Sequence, residues 1–332
     1  MRKHLALVLA AALLPVLAKA EGGSVSYHCQ QAAQAQTSDA MVQAIGAAFA
    51  ALKVEAQADA TRAAEMKPEV LDFNDEGEDS DELRLNVHTI EQNGKKMRFI
   101  VGEKGKPDGS GYPLYITLHG GGSTTEGEND TQWYGMYDYY RPCVEDGIYV
   151  AYRGMEDVWN MRSLPEAYAI YDRIIEDMVL INNADPNRVY LLGFSAGGDG
   201  VYEITPRMAD RFAAANMSLG HPNKVSLLNV ANAPFQIQVG VTDYYSSEAK
   251  RSIRGAEFQD ILNGYHDTYG FGYEHRVLVH VPQGHNFNDC SEGAIAESMV
   301  LKDPSEFARR AVDEDWLKGV CRHLSLVLWQ SC

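Results

Sequence analysis

The chain is predicted to be an α/β fold: a mostly parallel sheet with helices on both faces. Two observations carry this. From residue 83 onward, short apolar runs of strand length alternate with segments of helical spacing. Ahead of them, Leu83, Leu85 and Val87 alternate with polar residues, Met97 to Val101 repeat the strand signal, and Asn93-Gly94 lies between. Asn-Gly is the preferred two-residue hairpin turn, so an antiparallel hairpin leads the sheet.

The elements follow in chain order. Arg2, Lys3 and His4, the apolar run Leu5 to Leu17 and the small-x-small triplet Ala18-Lys19-Ala20 read as an export signal over 1–20. The run is short for a bilayer and no later stretch reaches that length, so no membrane span is expected in the mature chain. A retained N-terminal anchor is the alternative. Residues 21–68 read as a helical extension, with Met41, Ile45, Ala48, Phe49 and Leu52 at helical spacing. Residues 69–82 carry eight acids, from Glu69 to Glu82, and read as a solvated linker. Their spacing does not fit an EF-hand loop, and no metal site is expected.

A single large domain is expected over 83–332. Strands are expected at Leu114 to Leu118, Ile148 to Tyr152, Arg188 to Gly193, Ala214 to Leu219, Phe235 to Val241 and Arg276 to Val281. Trp133 to Val144 reads as a helix. Ser163-Leu164-Pro165-Glu166 reads as a capping box opening another, and Asp185-Pro186-Asn187 as a turn. A helix follows Ser195, and others fall between the later strands and at the C-terminus.

The formal charge is −17, and removing Arg2, Lys3 and Lys19 with the signal takes it to −20. So acidic a surface argues against nucleic acid and anionic membranes as partners. Five cysteines (Cys29, Cys143, Cys290, Cys321 and Cys332) show no metal-ligand spacing. In an exported chain they can form disulfides, with at least one left over. Their pairing is open, though a bridge from Cys290 would brace the loop around His285.

The strongest motif is Gly193-Phe194-Ser195-Ala196-Gly197-Gly198, lying after an apolar strand and before a helix. This is the context of a nucleophile elbow, a strained turn that lifts a serine hydroxyl clear of the sheet. Positions two before and two after the serine come too close for a side chain. The second motif is His119-Gly120-Gly121-Gly122, after the strand ending at Leu118. An acyl-transfer transition state places negative charge on a carbonyl oxygen, and two backbone N–H groups must meet it. The donors expected are Ala196 and Gly121 or Gly122, with His119 holding the loop. Serine also needs a base. Acid and histidine follow the serine in that order for this kind of elbow. His285, in the loop after the last strand, is the expected base, whereas His275 and His280 lie at or within that strand. Asp243, just past Phe235 to Val241, is the expected acid, with Asp260 and Asp267 as rivals and a helix N-cap as its plainer role.

Together these residues resemble the α/β-hydrolase superfamily of serine esterases. The likeness is to the secreted branch that includes feruloyl esterases and polyhydroxybutyrate-depolymerase-like proteins. It is carried by Leu118 to Gly122, Pro186-Asn187-Arg188-Val189-Tyr190, Gly193 to Gly198, Asp210-Arg211-Phe212-Ala213-Ala214 and Gly284-His285, over roughly 85 to 325. Some feruloyl esterases and tannases bridge cysteines beside the serine and histidine; here Phe194 and Asn286 stand there.

The resemblance implies a secreted or periplasmic hydrolase of carboxylic esters that needs no cofactor. Small-molecule or oligosaccharide esters are the expected substrates. Trp133, Trp159, Tyr202 and Tyr244 are the expected substrate contacts, within a wider aromatic set of Tyr134, Tyr137, Tyr139, Tyr140 and Tyr245. The same rings, at helical spacing in 133–140, also suit a core face. A serine peptidase with the same triad and a non-catalytic binder on this scaffold are the rival readings.

Overall fold

The computed structural model describes residues 23–73, 83–144, 146–159, 161–244 and 250–285. The expected export signal, Tyr245, the residues from Asn286 onward with Cys290, Cys321 and Cys332, and any C-terminal helix lie outside the described residues. The disulfide pairing is untested for the same reason.

Three helices come first: α1 (Val25–Gln34), α2 (Ser38–Ala58) and α3 (Ala60–Glu65). Each has a side-chain cap. Ser24 accepts from the Tyr27 N–H, Thr37 from Ala40, and Asp59 from both Thr61 and Arg62. Strand β1 (Glu69–Phe73) follows, then the hairpin of β2 (Leu83–Gln92) and β3 (Lys95–Lys104). The acid run was expected to be linker from residue 69. Its first five residues instead pair antiparallel with β2 as an edge strand, with Leu71 opposite Leu85. The apolar residues Val70 and Leu71 between Glu69 and Asp72 are compatible with a half-solvated edge, although the charge of the run masks the strand signal.

The remaining elements are β4 (Tyr112–Leu118), α4 (Glu126–Tyr139), β5 (Gly147–Tyr152), α5 (Pro165–Leu180), β6 (Ala184–Phe194), α6 (Ala196–Ile204), β7 (Ala214–Ser218), β8 (Phe235–Gly240), α7 (Arg251–Tyr269) and β9 (His275–His280). One sheet of nine strands runs β1-β2-β3-β5-β4-β6-β7-β8-β9. The first three pairings are antiparallel and the other five parallel.

Two boundaries differ from the sequence expectation. Pro165 occupies the first helical position of α5, which makes Leu164 the N-cap and leaves the Ser163 side chain outside the capping role. The expected turn at Asp185-Pro186-Asn187 is absorbed into β6 as a register shift against β4, with the Asn187 N–H on Asp185 Oδ1 at 2.9 Å.

The sheet buries both faces. Ile148, Val150 and Tyr152 of β5 join one core with Ile116 and Leu118 of β4, Ile170 and Ile174 of α5, Val201 of α6 and Phe258 of α7. Tyr149, one residue out of phase, joins Tyr115, Tyr190 and Leu192 under Met136 of α4. The period-two alternation of a strand sorts these residues to opposite faces. Each fully buried apolar side chain contributes about 1.5–3 kcal/mol. The N-terminal helices dock outside α5. Arg62 of α3 donates to Asp177 and, at 3.0 Å, to Glu176, while Arg173 donates to Glu65 at 2.9 Å.

Candidate active site

Parallel order places the carboxyl ends of β4, β6, β8 and β9 at one edge of the sheet, where open α/β sheets gather ligands. The loop after β6 is the tightest. Ser195 sits at φ 56°, ψ −120°, a region L-residues rarely occupy. The Ser195 N–H donates to Ser218 O at 2.9 Å, fixing the turn to β7. The flanking glycines are needed for close approach. A Cβ on Gly197 would lie 2.0 Å from Leu118 O, and one on Gly193 would lie 2.2 Å from Gly197 O. The strain is therefore locked by backbone against backbone.

Ser195 Oγ lies 2.8 Å from His285 Nε2, and His285 Nδ1 lies 2.9 Å from Asp243 Oδ2. The three expected catalytic residues thus meet in one chain of contacts. Asp243 is 3 % exposed, and its other oxygen is 3.7 Å from an Arg251 guanidinium nitrogen. Its side chain does not cap α7; the N-cap is Lys250, and Asp243 contributes only its carbonyl, to the Ser252 N–H. The acid and histidine loops are pressed together. Thr242 bonds Gln283 O through both its N–H and its hydroxyl, each at 3.0 Å, and a Cβ on Gly240 would lie 2.1 Å from Gly284 O. With Asp243 on Nδ1, the imidazole presents Nε2 to the serine.

The glycine loop crosses the elbow. A Cβ on Gly120 would lie 3.4 Å from Ser195 Cβ, and one on Gly122 would lie 3.8 Å from Ala196 Cβ. Gly121 (φ 88°) and Gly122 (φ 127°) adopt conformations open to glycine. Among the described residues, no hydrogen bond engages the N–H of Gly121 or of Ala196. Gly122 is a correction: its N–H is already donated to Asn129 Oδ1 at 2.9 Å, so it cannot also serve an oxyanion. Asn129, fully buried, returns a bond from Nδ2 to Gly122 O at 2.9 Å and another to Asp157 Oδ1 at 2.8 Å. Nothing in the sequence flagged it, beyond its place in the helix after the glycines.

His119 braces the same loop. Its Nε2 accepts from the Gly154 N–H at 3.0 Å, so Nδ1 carries the proton and donates to Gly120 O at 2.7 Å. Burial, reinforced by Arg162 and Arg153, holds its pKa well below the ordinary value and keeps it neutral.

The expected substrate-binding aromatics divide. Trp133 and Tyr202 are corrections. Trp133, on the buried side of α4, is fully enclosed with its indole N–H on Ala151 O at 2.8 Å, and Tyr202 is fully buried against Phe235 and Phe258. Helical spacing placed both rings toward the sheet, away from solvent. Tyr140 is likewise buried, and Tyr134 and Tyr137 pack partly against the core. Trp159 and Tyr244 stand at the surface, 46 % and 52 % exposed. Trp159 lies against Gly122, and Tyr244 follows Asp243. The Tyr139 ring lies tilted at 5.1 Å from that of Phe194, which in turn lies 5.9 Å from the His285 ring.

No family model and no curated protein matches the chain. Solved structures do. A poly(3-hydroxybutyrate) depolymerase from Bordetella parapertussis superposes with a TM-score of 0.51 at 17 % identity, over 68 % of this chain and 94 % of that one. A thermostable esterase matches with a TM-score of 0.46 at 17 % identity, over 71 % of this chain and 62 % of its own length. An acylaminoacyl peptidase matches with a TM-score of 0.42 at 15 % identity, over 68 % and 40 %. The chain has the α/β-hydrolase fold.

Proposed function

We propose that this chain is a serine hydrolase of carboxylic esters, acting after export to the periplasm or outside the cell. The observation that carries the proposal is the contact chain Ser195–His285–Asp243 on a strained elbow. Its 2.8 and 2.9 Å separations are those proton transfer requires. Ser195 Oγ attacks the ester carbonyl as His285 Nε2 takes its proton. The oxyanion rests on the N–H groups of Ala196 and Gly121. His285 returns the proton to the departing alcohol. Water, deprotonated by His285, then splits the acyl-enzyme, and His285 returns that proton to Ser195 Oγ as the acid leaves. Asp243 holds the tautomer and stabilises the imidazolium. Trp159 and Tyr244 flank the substrate. Every proton stays within these groups and the reactants, and no cofactor enters.

A panel of nitrophenyl and hydroxycinnamoyl esters tests the proposal, with a peptide-release assay run beside it. Turnover of esters is expected, lost by about 10⁶-fold in Ser195→Ala and by about 10⁴-fold in Asp243→Asn. Peptide release without ester turnover would replace the ester reading with the peptidase one. Turnover unchanged in Ser195→Ala would remove both.

A further inference from the structure

Asn129 and Gln132 stand three apart on α4, a spacing that puts both on one side of the helix, and both reach the turn from Gly120 to Gly122. They end differently. Asn129 is buried and commits its amide to Gly122 and Asp157. Gln132 is exposed, and among the described residues no hydrogen bond engages its side chain. Its Cγ lies 3.7 Å from where a Cβ on Gly121 would stand, and its Oε1 lies 2.8 Å from where one on Gly120 would. The point on Gly120 is in turn 3.3 Å from Phe194 Cδ1 and 3.4 Å from Ser195 Cβ. The free amide and the nucleophile therefore border one small space. Gly120 Cα is bonded to the peptide unit that carries the Gly121 N–H, so the amide also stands beside that donor.

The residue type meets a chemical need at this place. Acyl transfer puts negative charge on the carbonyl oxygen, and each donor aimed at it lowers the barrier. The N–H of Gly122 is held by Asn129, which leaves the main-chain donors of Ala196 and Gly121. A carboxamide carries two N–H donors. Rotation about its last side-chain bond, a torsion with broad and roughly two-fold preferences, brings Nε2 to the place Oε1 holds. A carboxylate there would oppose the developing charge. Glu126, Glu128 and Asp130 lead α4, yet the residue over the glycine turn is neutral and can donate.

We propose that Gln132 is a third oxyanion donor, its Nε2–H meeting the tetrahedral oxygen beside the N–H groups of Gly121 and Ala196. The bond forms as charge gathers on that oxygen and is released when the carbonyl re-forms, with no proton transferred. The proposal rests on the ester-hydrolase reading above and adds a catalytic residue to it.

Gln132→Met tests it, because methionine is unbranched and of similar length but has no N–H to donate. With nitrophenyl acetate, kcat should fall about 10- to 100-fold with KM changed little. The loss is smaller than the roughly 10²- to 10³-fold of an enclosed donor, since water reaches this amide. A trifluoromethyl ketone adds to the serine to give a tetrahedral adduct with the same oxyanion, so its Ki should weaken by a similar factor. Gln132→Ala should lose as much as Gln132→Met. Full kcat in Gln132→Met, or a loss in Gln132→Ala that methionine restores, would make the side chain a cover for the glycines and overturn the proposal. A raised KM with kcat unchanged would place the amide on another part of the substrate and overturn it too. So would a lowered kcat with the ketone bound as tightly as by wild type.

The position is exposed, so both variants should melt with wild type. Were methionine to perturb the fold, alanine, the best helix former, carries the same kinetic and ketone measurements. Ester turnover that neither variant changes leaves the hydrolase reading standing without this one. Wild type that cleaves no nitrophenyl ester removes both.

Discussion

Asn129 grips Gly122 by both of its main-chain polar groups, accepting from the N–H and donating to the carbonyl at 2.9 Å each. The side-chain amide takes the place of a neighbouring strand. It holds the loop whose preceding N–H, that of Gly121, faces no other partner among the described residues. Asn129→Ala should lower kcat by about 10- to 100-fold with KM changed little, because the donor is mispositioned and ground-state binding is not. Steady-state kinetics on a nitrophenyl ester checks this; an unchanged kcat would mean the loop holds its shape unaided.

Gly197→Ala would bring a methyl group to 2.0 Å from Leu118 O, backbone that cannot swing away. The elbow and β4 must then separate, so the variant should show little soluble folded protein or a strongly lowered Tm. Circular dichroism melts against Gly46→Ala, where a Cβ meets nothing within 4 Å, supply the control.

Burial raises the Asp199 carboxyl to about 6, from 3.8 for an ordinary one. Between those values the folded chain holds a proton that the unfolded chain has lost. Its stabilising contribution is complete below the lower value and is lost as pH rises through the higher. Asp199→Asn does not titrate. The unfolding free energy of variant minus wild type should therefore increase from pH 4 to pH 7 in urea titrations. A difference that is flat or falls over that range would place the Asp199 carboxylate in a solvated or well-paired setting.

Arg62 and Asp177 join the N-terminal helices to α5, with Arg62 8 % exposed and Asp177 fully buried. Arg62→Met leaves Asp177 with Arg173 at 3.5 Å but without its charged hydrogen bond, and should cost about 1.5–3 kcal/mol. Adding Asp177→Asn should recover part of that loss, since the two changes share one interaction. Urea denaturation of the two single variants and the double variant measures the coupling. Strictly additive losses would show that the helices dock by apolar contact alone.

Much of the site was legible because its chemistry imposes local spelling. An elbow with no room for Cβ atoms demands Gly193 and Gly197, and chain order then directs attention to Asp243 and His285. The alternation of Leu83, Leu85 and Val87, the Asn93-Gly94 turn and the short apolar runs such as Ile148 to Tyr152 carried the sheet. What stayed hidden depends on distant partners. Asn129 reads as an ordinary helix residue until Gly122 is seen beside it. Trp133 and Tyr202 read as substrate contacts in the sequence, yet both are fully buried, because an aromatic ring has the same composition signal in a cleft and in a core. Only the helical phase, which put them toward the sheet, tells them apart. Glu69–Phe73 were hidden by charge, since an edge strand needs apolar residues on one side only.

Covalent trapping tests the central claim most directly. The protein is treated with a fluorophosphonate and the adduct located by peptide mass spectrometry. A single adduct on Ser195, formed at a rate that falls sharply in His285→Ala and absent in Ser195→Ala, is the result the triad requires. Labelling at another residue, or ester turnover that persists while Ser195 stays unmodified, would contradict it.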